Sequence, residues 1–165
     1  MLRIIDSREC SKTEVEFGDY LPFKFWHDAK SVGPNYYWRT GDLVTTLLEV
    51  EIDRGTGQIV AVSLLLPGRV SRAFPEIDFA GVIRANGYPS VDTSSWPSDR
   101  VRDEAGMLRV FIDSSRLLIL LSASVAVSKI CLADNVTFGV DVYGSIDWIL
   151  VSNLPEQKLI DIENL

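Results

Sequence analysis

The sequence predicts an α+β fold in which residues 1–165 form a single domain of predominantly antiparallel β-structure with a short C-terminal helix. Three patterns support this prediction. Apolar residues alternate around a glycine turn in residues 42–66, short apolar runs recur after residue 107, and a helix-start signal lies near residue 155. Together they indicate roughly eight strands, arranged as a meander or as a partly closed barrel or sandwich.

The first forty residues contain short extended segments. Leu2 to Ile5 is an apolar run that suits an edge or first strand. Glu14 to Trp26 alternates polar and apolar residues but is broken around Gly18 and Pro22, which favours two short strands or extended pieces. A Gly-Pro turn signal at residue 33 then precedes three aromatic residues, 36–38, that lead into the hairpin.

Residues 42–66 predict a β-hairpin because two apolar, β-branched runs flank the turn Arg54 to Gly57. Glu49, Glu51 and Asp53 fall opposite the apolar positions, so we expect them to share one face of the first strand. This row is typical of a solvated outer face. A docking strip for a basic partner and a cation site are the alternatives, although a straight row lacks the converging ligands that a cation requires.

Residues 67–106 show little periodicity and are punctuated by proline. Phe79 to Ala85 fits a short strand or a helical turn, and Tyr88 to Arg100 is rich in turn residues. A stretch of this length is either irregular structure over the core or a binding loop. It contains several candidate contact residues, and its tryptophan suits either a loop anchor or a binding role. These candidates are Asp92, Trp96, Asp99, Asp103 and Glu104.

Strand signals return after Met107. We expect a meander of strands over residues 108–112, 117–121, 125–132, 136–142 and 146–151. A buried helix is the alternative for Leu117 to Leu132, because periodicity does not discriminate in a run that is apolar throughout. Asn153 with Glu156 resembles a capping box, and Pro155 suits a first helical turn, so Leu154 to Asn164 is predicted to be helical.

Composition restricts the classes of partner. Sixteen basic residues against 23 acidic ones give a net charge of −7, which argues against nucleic acid and favours a basic protein. Charges within residues 1–10 argue against a secretory signal, and the uncharged stretch 117–128 is too short to span a membrane. We expect a cytoplasmic protein without a membrane anchor, in which Cys10 and Cys131 are reduced thiols.

Motifs for catalysis or metal binding are weak. His27 is the single histidine and lies among aromatic residues, and such an isolated histidine is more often a packed or a surface residue than a general base. The glycines at 55 and 57 lack the lysine and helix of a phosphate loop. Asp141 and Asp147 flank a turn, as exposed strand residues often do. We therefore expect no enzyme activity, cofactor or metal site.

One segment resembles parts of small bacterial immunity proteins, which are encoded beside interbacterial toxins. It covers residues 36–66, YYWRTGDLVTTLLEVEIDRGTGQIVAVSLLL. The resemblance implies an acidic cytoplasmic protein that occludes the active site of a cognate toxin, whether a nuclease, an NAD-hydrolysing enzyme or another type. It identifies no contact residues. The charge pattern supplies the expected set for a basic active-site cleft. It comprises Glu49, Glu51, Asp53, Asp92, Trp96, Asp99, Asp103 and Glu104.

A ligand pocket is the alternative function. A β-barrel-like domain could bind a small apolar or nucleotide-like ligand, or act as an unrecognised enzyme, with its tryptophans lining a cavity. Those residues are Trp26, Trp38, Trp96 and Trp148. A purely structural subunit that forms a homodimer is a third class.

Overall fold

A computed structural model describes residues 1–9, 12–18, 20–27 and 33–165. Cys10, predicted to be a reduced thiol, lies outside these residues. The described strands are β1 (Ile4–Arg8), β2 (Thr13–Glu16), β3 (Phe23–His27), β4 (Tyr36–Gly41), β5 (Thr46–Ile52), β6 (Ile59–Pro67), β7 (Val70–Ser71), β8 (Ile83–Asn86), β9 (Tyr88–Val91), β10 (Val101–Ala105), β11 (Arg109–Ile112), β12 (Leu117–Leu120), β13 (Lys129–Ala133), β14 (Val136–Val140) and β15 (Ile146–Val151). One helix, α1 (Glu156–Glu163), follows them.

The predicted hairpin is the centre of a six-stranded sheet with the order β10-β4-β5-β6-β3-β2. Strands β5 and β6 pair antiparallel, as the alternating pattern predicted. The β10 edge is different, because it pairs parallel with β4 although it comes from the stretch predicted to be irregular. That stretch also supplies β7, β8 and β9. Strand β8 agrees in part with the short strand predicted as one alternative for Phe79 to Ala85, whereas β7, β9 and β10 show that the prediction of little regular structure is wrong in part.

A seven-stranded sheet has the order β7-β11-β12-β15-β14-β13-β8. Five strands follow Met107 as predicted, although the one predicted over 125–132 begins only at Lys129. The run from Leu117 to Leu132 forms two strands joined by a connection instead of a helix. Their predicted meander order is wrong at one point, because β12 pairs with β15 and not with β13. The parallel pairs β7-β11 and β8-β13 make the sheet mixed, and a separate two-stranded sheet joins β1 to β9.

The two large sheets pack face to face through a shared apolar core. Phe25 of β3 and Phe138 of β14 meet edge to face across the interface, with ring centroids 6.2 Å apart. Tyr88 of β9 contacts both rings. Inward residues of β5, such as Leu48 and Val50, belong to the same core. The predicted predominance of β-structure is therefore confirmed, but the predicted number of about eight strands is too low. The described chain has fifteen strands, and its two large sheets do not close into one barrel.

A second apolar cluster covers the other side of the seven-stranded sheet. Trp148 of β15 is fully buried there, although it points away from the core between the sheets. Phe79 contacts its ring edge to face at 6.3 Å, and its indole N–H donates to the carbonyl of Val125 at 3.0 Å. The irregular connections 72–82 and 121–128 thus cover this sheet with their own side chains.

The C-terminal helix is confirmed, but its predicted capping box is wrong. Pro155 is the N-cap in an extended conformation, and no side chain caps the helix. Asn153 instead occupies a left-handed conformation with φ of 59°. Leu159 and Ile162 pack against the core between the sheets, so burial of this stripe holds the helix in place. In the described part of the chain, no helix combines the length and the apolar character needed to cross a membrane.

Candidate functional site

The outward side of the six-stranded sheet, here called the outer face, is the most distinctive surface of the described chain. Its strands alternate, so apolar residues enter the core while their neighbours point outward. The strand pairing aligns the outward residues in two rows that cross all six strands. One row is Val101, Tyr37, Glu51, Ala61, Trp26 and Glu14, and the other is Asp103, Arg39, Glu49, Ser63, Lys24 and Glu16.

Acidic residues outnumber basic ones on this face. Five carboxylates stand against the two cations Arg39 and Lys24 in the two rows. Arg39 Nε donates to Glu49 at 2.9 Å, and its Nη1 lies 3.9 Å from a carboxylate oxygen of Asp103. Partial burial raises the pKa of the Tyr37 hydroxyl, and the negative charges of the neighbouring glutamates raise it further. The face therefore has a net negative field.

A groove runs across the outer face above β6. Its floor contains Ala61, which is only 4% exposed because longer side chains rise on both sides. Glu51 of β5 forms one wall, and Trp26 of β3 forms the other. The groove has a volume of about 320 Å³. The small side chain of Ala61 on the central strand thus leaves a depression that an acidic and an aromatic side chain border.

Glu51 is held in position at this groove. Asn35, itself buried, donates from Nδ2 to Glu51 Oε1 at 2.6 Å. His27 lies at the end of the groove with its ring 4.5 Å from that of Tyr88, and its Nε2 is 2.9 Å from the carbonyl oxygen of Ile59. The predicted packed role of His27 agrees with this burial.

Asp53 does not join the predicted row of carboxylates. Strand β5 ends at Ile52, and Asp53 is only 8% exposed. Its Oδ1 accepts hydrogen bonds from the backbone N–H and the hydroxyl of Thr56, each at 2.8 Å. The carboxylate therefore stabilises the hairpin turn, as aspartate commonly does in tight turns. Only Glu49 and Glu51 of the predicted trio lie on the outer face.

The candidate contact residues from the stretch 67–106 lie in two places, on β10 and in the loop that precedes it. Asp103 joins the outer face beside Arg39, whereas Glu104 points to the other side of β10 and accepts a 2.9 Å hydrogen bond from Trp38 Nε1. The amino group of Met1 also contacts Glu104. Burial alone would raise the pKa of Glu104, but these two hydrogen bonds hold it below its usual value. Glu104 is thus satisfied by contacts within the chain.

Trp96 anchors its loop at the edge of the sandwich. Its ring stacks on Tyr36 with centroids 5.2 Å apart, and the guanidinium carbon of Arg102 lies 5.9 Å from the centre of the Trp96 ring. Trp96 Nε1 donates to the carbonyl of Arg100 at 3.2 Å. The anchoring interpretation therefore matches its contacts. The remaining candidates, Asp92 and Asp99, are exposed in the same loop.

The four tryptophans occupy separate places, which contradicts the predicted shared cavity. Trp26 borders the groove, and Trp38 lies in the core between the sheets. Trp96 lies at the sandwich edge, and Trp148 lies in the cluster on the far side of the other sheet. A barrel-like pocket lined by these residues is therefore absent.

Two buried titratable groups, Cys131 and Asp147, lie away from the outer face. Within the ranges that the structure describes, no group of three or more His, Cys, Asp or Glu side chains could hold a metal ion. Cys131 is fully buried, and burial raises the pKa of its thiol. Asp147 is only 7% exposed, which corrects its predicted exposed position. Burial raises the pKa of its carboxyl, and repulsion from Asp141 adds to the shift.

Two comparisons with known proteins, with family models and with curated proteins, give no relative from which to transfer a site. No protein-family model matches the chain. No curated protein matches it either. The geometry and chemistry of the chain itself must therefore support any proposal of function.

Only three of the twelve residues in the two rows were predicted from the sequence as partner contacts, namely Glu49, Glu51 and Asp103. Trp26 was named only for the alternative ligand pocket, and Lys24 and the other outward residues of β2 to β4 were not predicted. The signal was present, since residues 14–17 and 23–26 alternate like strands with one outward side. What alternation does not reveal is which strands are neighbours, and the groove depends on β3 and β5 flanking β6.

Proposed function

We propose that this protein is a non-catalytic binding protein that docks its outer face on a protein partner with a basic surface. The contrast between the two sheets carries this proposal. The chain covers the seven-stranded sheet with its own connections, whereas the outer face of the six-stranded sheet presents charged and aromatic side chains. A sheet face that is concave at its centre and bordered by unlike side chains offers complementarity to another protein.

Charge supports the choice of partner. The chain has a net charge of −7, and five of its carboxylates share the outer face with only two cations. Such a field accelerates encounter with a basic protein and opposes binding to a phosphate backbone. The partner therefore carries a basic surface and is not a nucleic acid.

The resemblance of residues 36–66 to immunity proteins supports a finer proposal. That segment forms β4, β5 and β6, which supply Arg39, Glu49, Glu51 and the floor of the groove. The partner would then be a toxin enzyme in the cytoplasm, and binding would occlude its basic active-site cleft. Carboxylates on the outer face would occupy the positions that anionic substrate groups take in that cleft.

The test uses capture of the partner from lysate of the native host. A C-terminal tag avoids the amino group of Met1, which contacts the β10 edge through Glu104. The key variant is Glu16→Lys/Asp103→Lys, because both residues are exposed and lie at opposite ends of one row. We expect one stoichiometric partner for the wild type. For the variant we expect an association rate about tenfold lower at low salt, with the difference shrinking as salt screens the charges.

A matched control reverses two exposed carboxylates elsewhere. Glu76→Lys/Asp161→Lys changes the net charge by the same amount but lies in the cover of the other sheet and on α1. Equal association rates for the two double variants would overturn the outer face as the binding surface. Inhibition of an enzymatic activity of the captured partner, complete at one equivalent, would support the toxin proposal, and undiminished activity in the saturated complex would overturn it.

A further inference from the structure

We infer that the groove on the outer face receives a single arginine side chain of the partner. This inference rests on the proposed function and specifies the chemistry at the centre of its interface. The groove combines a flat aromatic wall, a fixed carboxylate and a floor at the small side chain of Ala61, which together match a planar cation.

The strand pairing sets the width of the groove. Ala61 of β6 pairs with Trp26 on one side and with Glu51 on the other. The two walls are therefore two strand spacings apart, about 9.5 Å between backbones. A methyl group at the floor leaves this space open, and the volume of about 320 Å³ is at the small end for ligand pockets. The space suits one long side chain.

The tryptophan wall already contacts a cation. Lys24 Nζ lies 5.9 Å from the centre of the Trp26 ring, within the range of a cation–π interaction. The face of this ring is thus accessible to a positive charge from the outer surface. Because Lys24 is only half-buried and its stem is flexible, an incoming guanidinium can displace it. Lys24 acts as an internal competitor for the site.

The carboxylate wall favours arginine over lysine. Glu51 accepts a hydrogen bond from Asn35, and it also interacts with the Tyr37 hydroxyl. A carboxylate offers about four lone-pair positions, so two remain for an incoming donor. A guanidinium can donate two parallel N–H groups to these two positions while its plane lies against an aromatic ring. An ammonium cannot make these two kinds of contact at once. The Asn35 contact fixes the carboxylate before the ligand arrives, which lowers the entropy cost of binding.

The experiment is a titration of the ¹⁵N-labelled protein followed by NMR. The probes are three blocked tripeptides, Gly-Arg-Gly, Gly-Lys-Gly and Gly-citrulline-Gly, at millimolar concentrations. We expect saturable shifts of the Trp26 indole N–H and of the Ala61 and Ser63 amides with the arginine peptide. The lysine peptide should bind severalfold more weakly. The citrulline peptide, which keeps the shape but lacks the charge, should cause no shift at these positions.

Two variants sharpen the test. Glu51→Gln keeps an acceptor for Asn35 but removes the charge, and it should weaken the arginine peptide about tenfold. Its matched control is Glu156→Gln, an exposed residue in the first turn of α1, which should bind as the wild type does. Lys24→Met keeps the stem but removes the competing charge, so affinity should rise severalfold, whereas Lys129→Met on the other sheet should leave it unchanged.

The inference is overturned if citrulline and arginine peptides shift the same resonances equally, if Glu51→Gln binds as the wild type does, or if the arginine peptide leaves the groove resonances unmoved. The spectra themselves report whether each variant is folded. Failure here is distinct from failure of the proposed function. If the Glu16→Lys/Asp103→Lys variant loses its partner but the arginine peptide does not bind the groove, the outer face is still supported as the binding surface and only the arginine inference is wrong. If the arginine peptide binds the groove but the double variant captures the partner as the wild type does, the proposed binding surface is wrong.

Discussion

Gly139→Ala should destabilise the protein because Trp148 occupies the space that a side chain would need. Gly139 of β14 pairs with Trp148 of β15. A Cβ atom added at Gly139 would lie 2.0 Å from Cε2, 2.4 Å from Cδ2 and 2.5 Å from Cζ2 of the indole. All three separations are far inside van der Waals contact. The indole must therefore move, although it is completely buried.

The contacts of Trp148 set the magnitude. Extra methyl groups in packed interiors cost about 1–3 kcal/mol, and complete loss of a buried tryptophan costs about 3–5 kcal/mol. Displacement of this ring also breaks its 3.0 Å hydrogen bond to the Val125 carbonyl. Replacing a strand glycine returns about 0.5–1 kcal/mol of chain entropy. We expect a net loss of about 3 kcal/mol, which lowers Tm by roughly 6–12 °C for a chain of this size.

The assay is urea unfolding followed by tryptophan fluorescence, with the midpoint and slope fitted separately. Gly55→Ala is the matched control, since its added Cβ would lie 3.5 Å from Asp53 Oδ1, an ordinary contact. We expect that control to stay within about 1 kcal/mol of the wild type. In the Trp148→Leu background the added methyl group should cost much less, because the indole is gone. Wild-type stability of Gly139→Ala, or an equal cost in both backgrounds, would refute the steric argument.

Three further predictions concern single side chains. Burial raises the pKa of Asp147, so its contribution to stability is complete below the unfolded pKa and is lost as pH rises through the folded pKa. Asp147→Asn should therefore raise Tm at pH 7 and change it little below about pH 4, and equal shifts of Tm at both pH values would contradict this. In a Cys10→Ser variant, Cys131 should react with a thiol reagent about a hundredfold more slowly in the folded protein than in urea, because the thiol is buried. Equal reaction rates in the two conditions would show that the thiol is accessible in the folded protein. Trp96→Ala should lower stability by about 2 kcal/mol through loss of the stack on Tyr36, and an unchanged unfolding midpoint would argue that the stack contributes nothing.

The parts of the fold that the sequence predicted are those that local patterns determine. The hairpin alternates over long strands and has a glycine turn, so β5 and β6 were evident. Strand β10 was missed because its sequence VRDEA carries three charges, and its identity as a strand comes from pairing with β4. Strand β9 contains Pro89, which argues against a central strand but is tolerated in a two-stranded edge pair with β1.

In the candidate site, too, the sequence predicted what local patterns determine and missed what depends on tertiary structure. Glu49 and Glu51 were found because they alternate with core residues along one strand. Asp53 was placed on the same face because alternation was extended past Ile52, where turn hydrogen bonds take over. The groove could not be predicted from the sequence because it depends on three strands from different parts of the sequence. Neighbouring order in the sheet is a tertiary property, and sequential strands are adjacent only about two-thirds of the time.

The parallel pairing of β10 with β4 also has a kinetic meaning. Val101 pairs with Tyr37, and Asp103 pairs with Arg39, although the paired residues are far apart in the sequence. Closing such a large loop loses entropy before the new contacts form, so this edge should assemble late during refolding. During synthesis, the hairpin can form while the ribosome is still translating the rest, but the row that ends at Asp103 is complete only after residue 105 has emerged. A nascent chain would therefore present an outer face that lacks its β10 edge, with Asp103 not yet beside Arg39, until residues 101–105 have been synthesised.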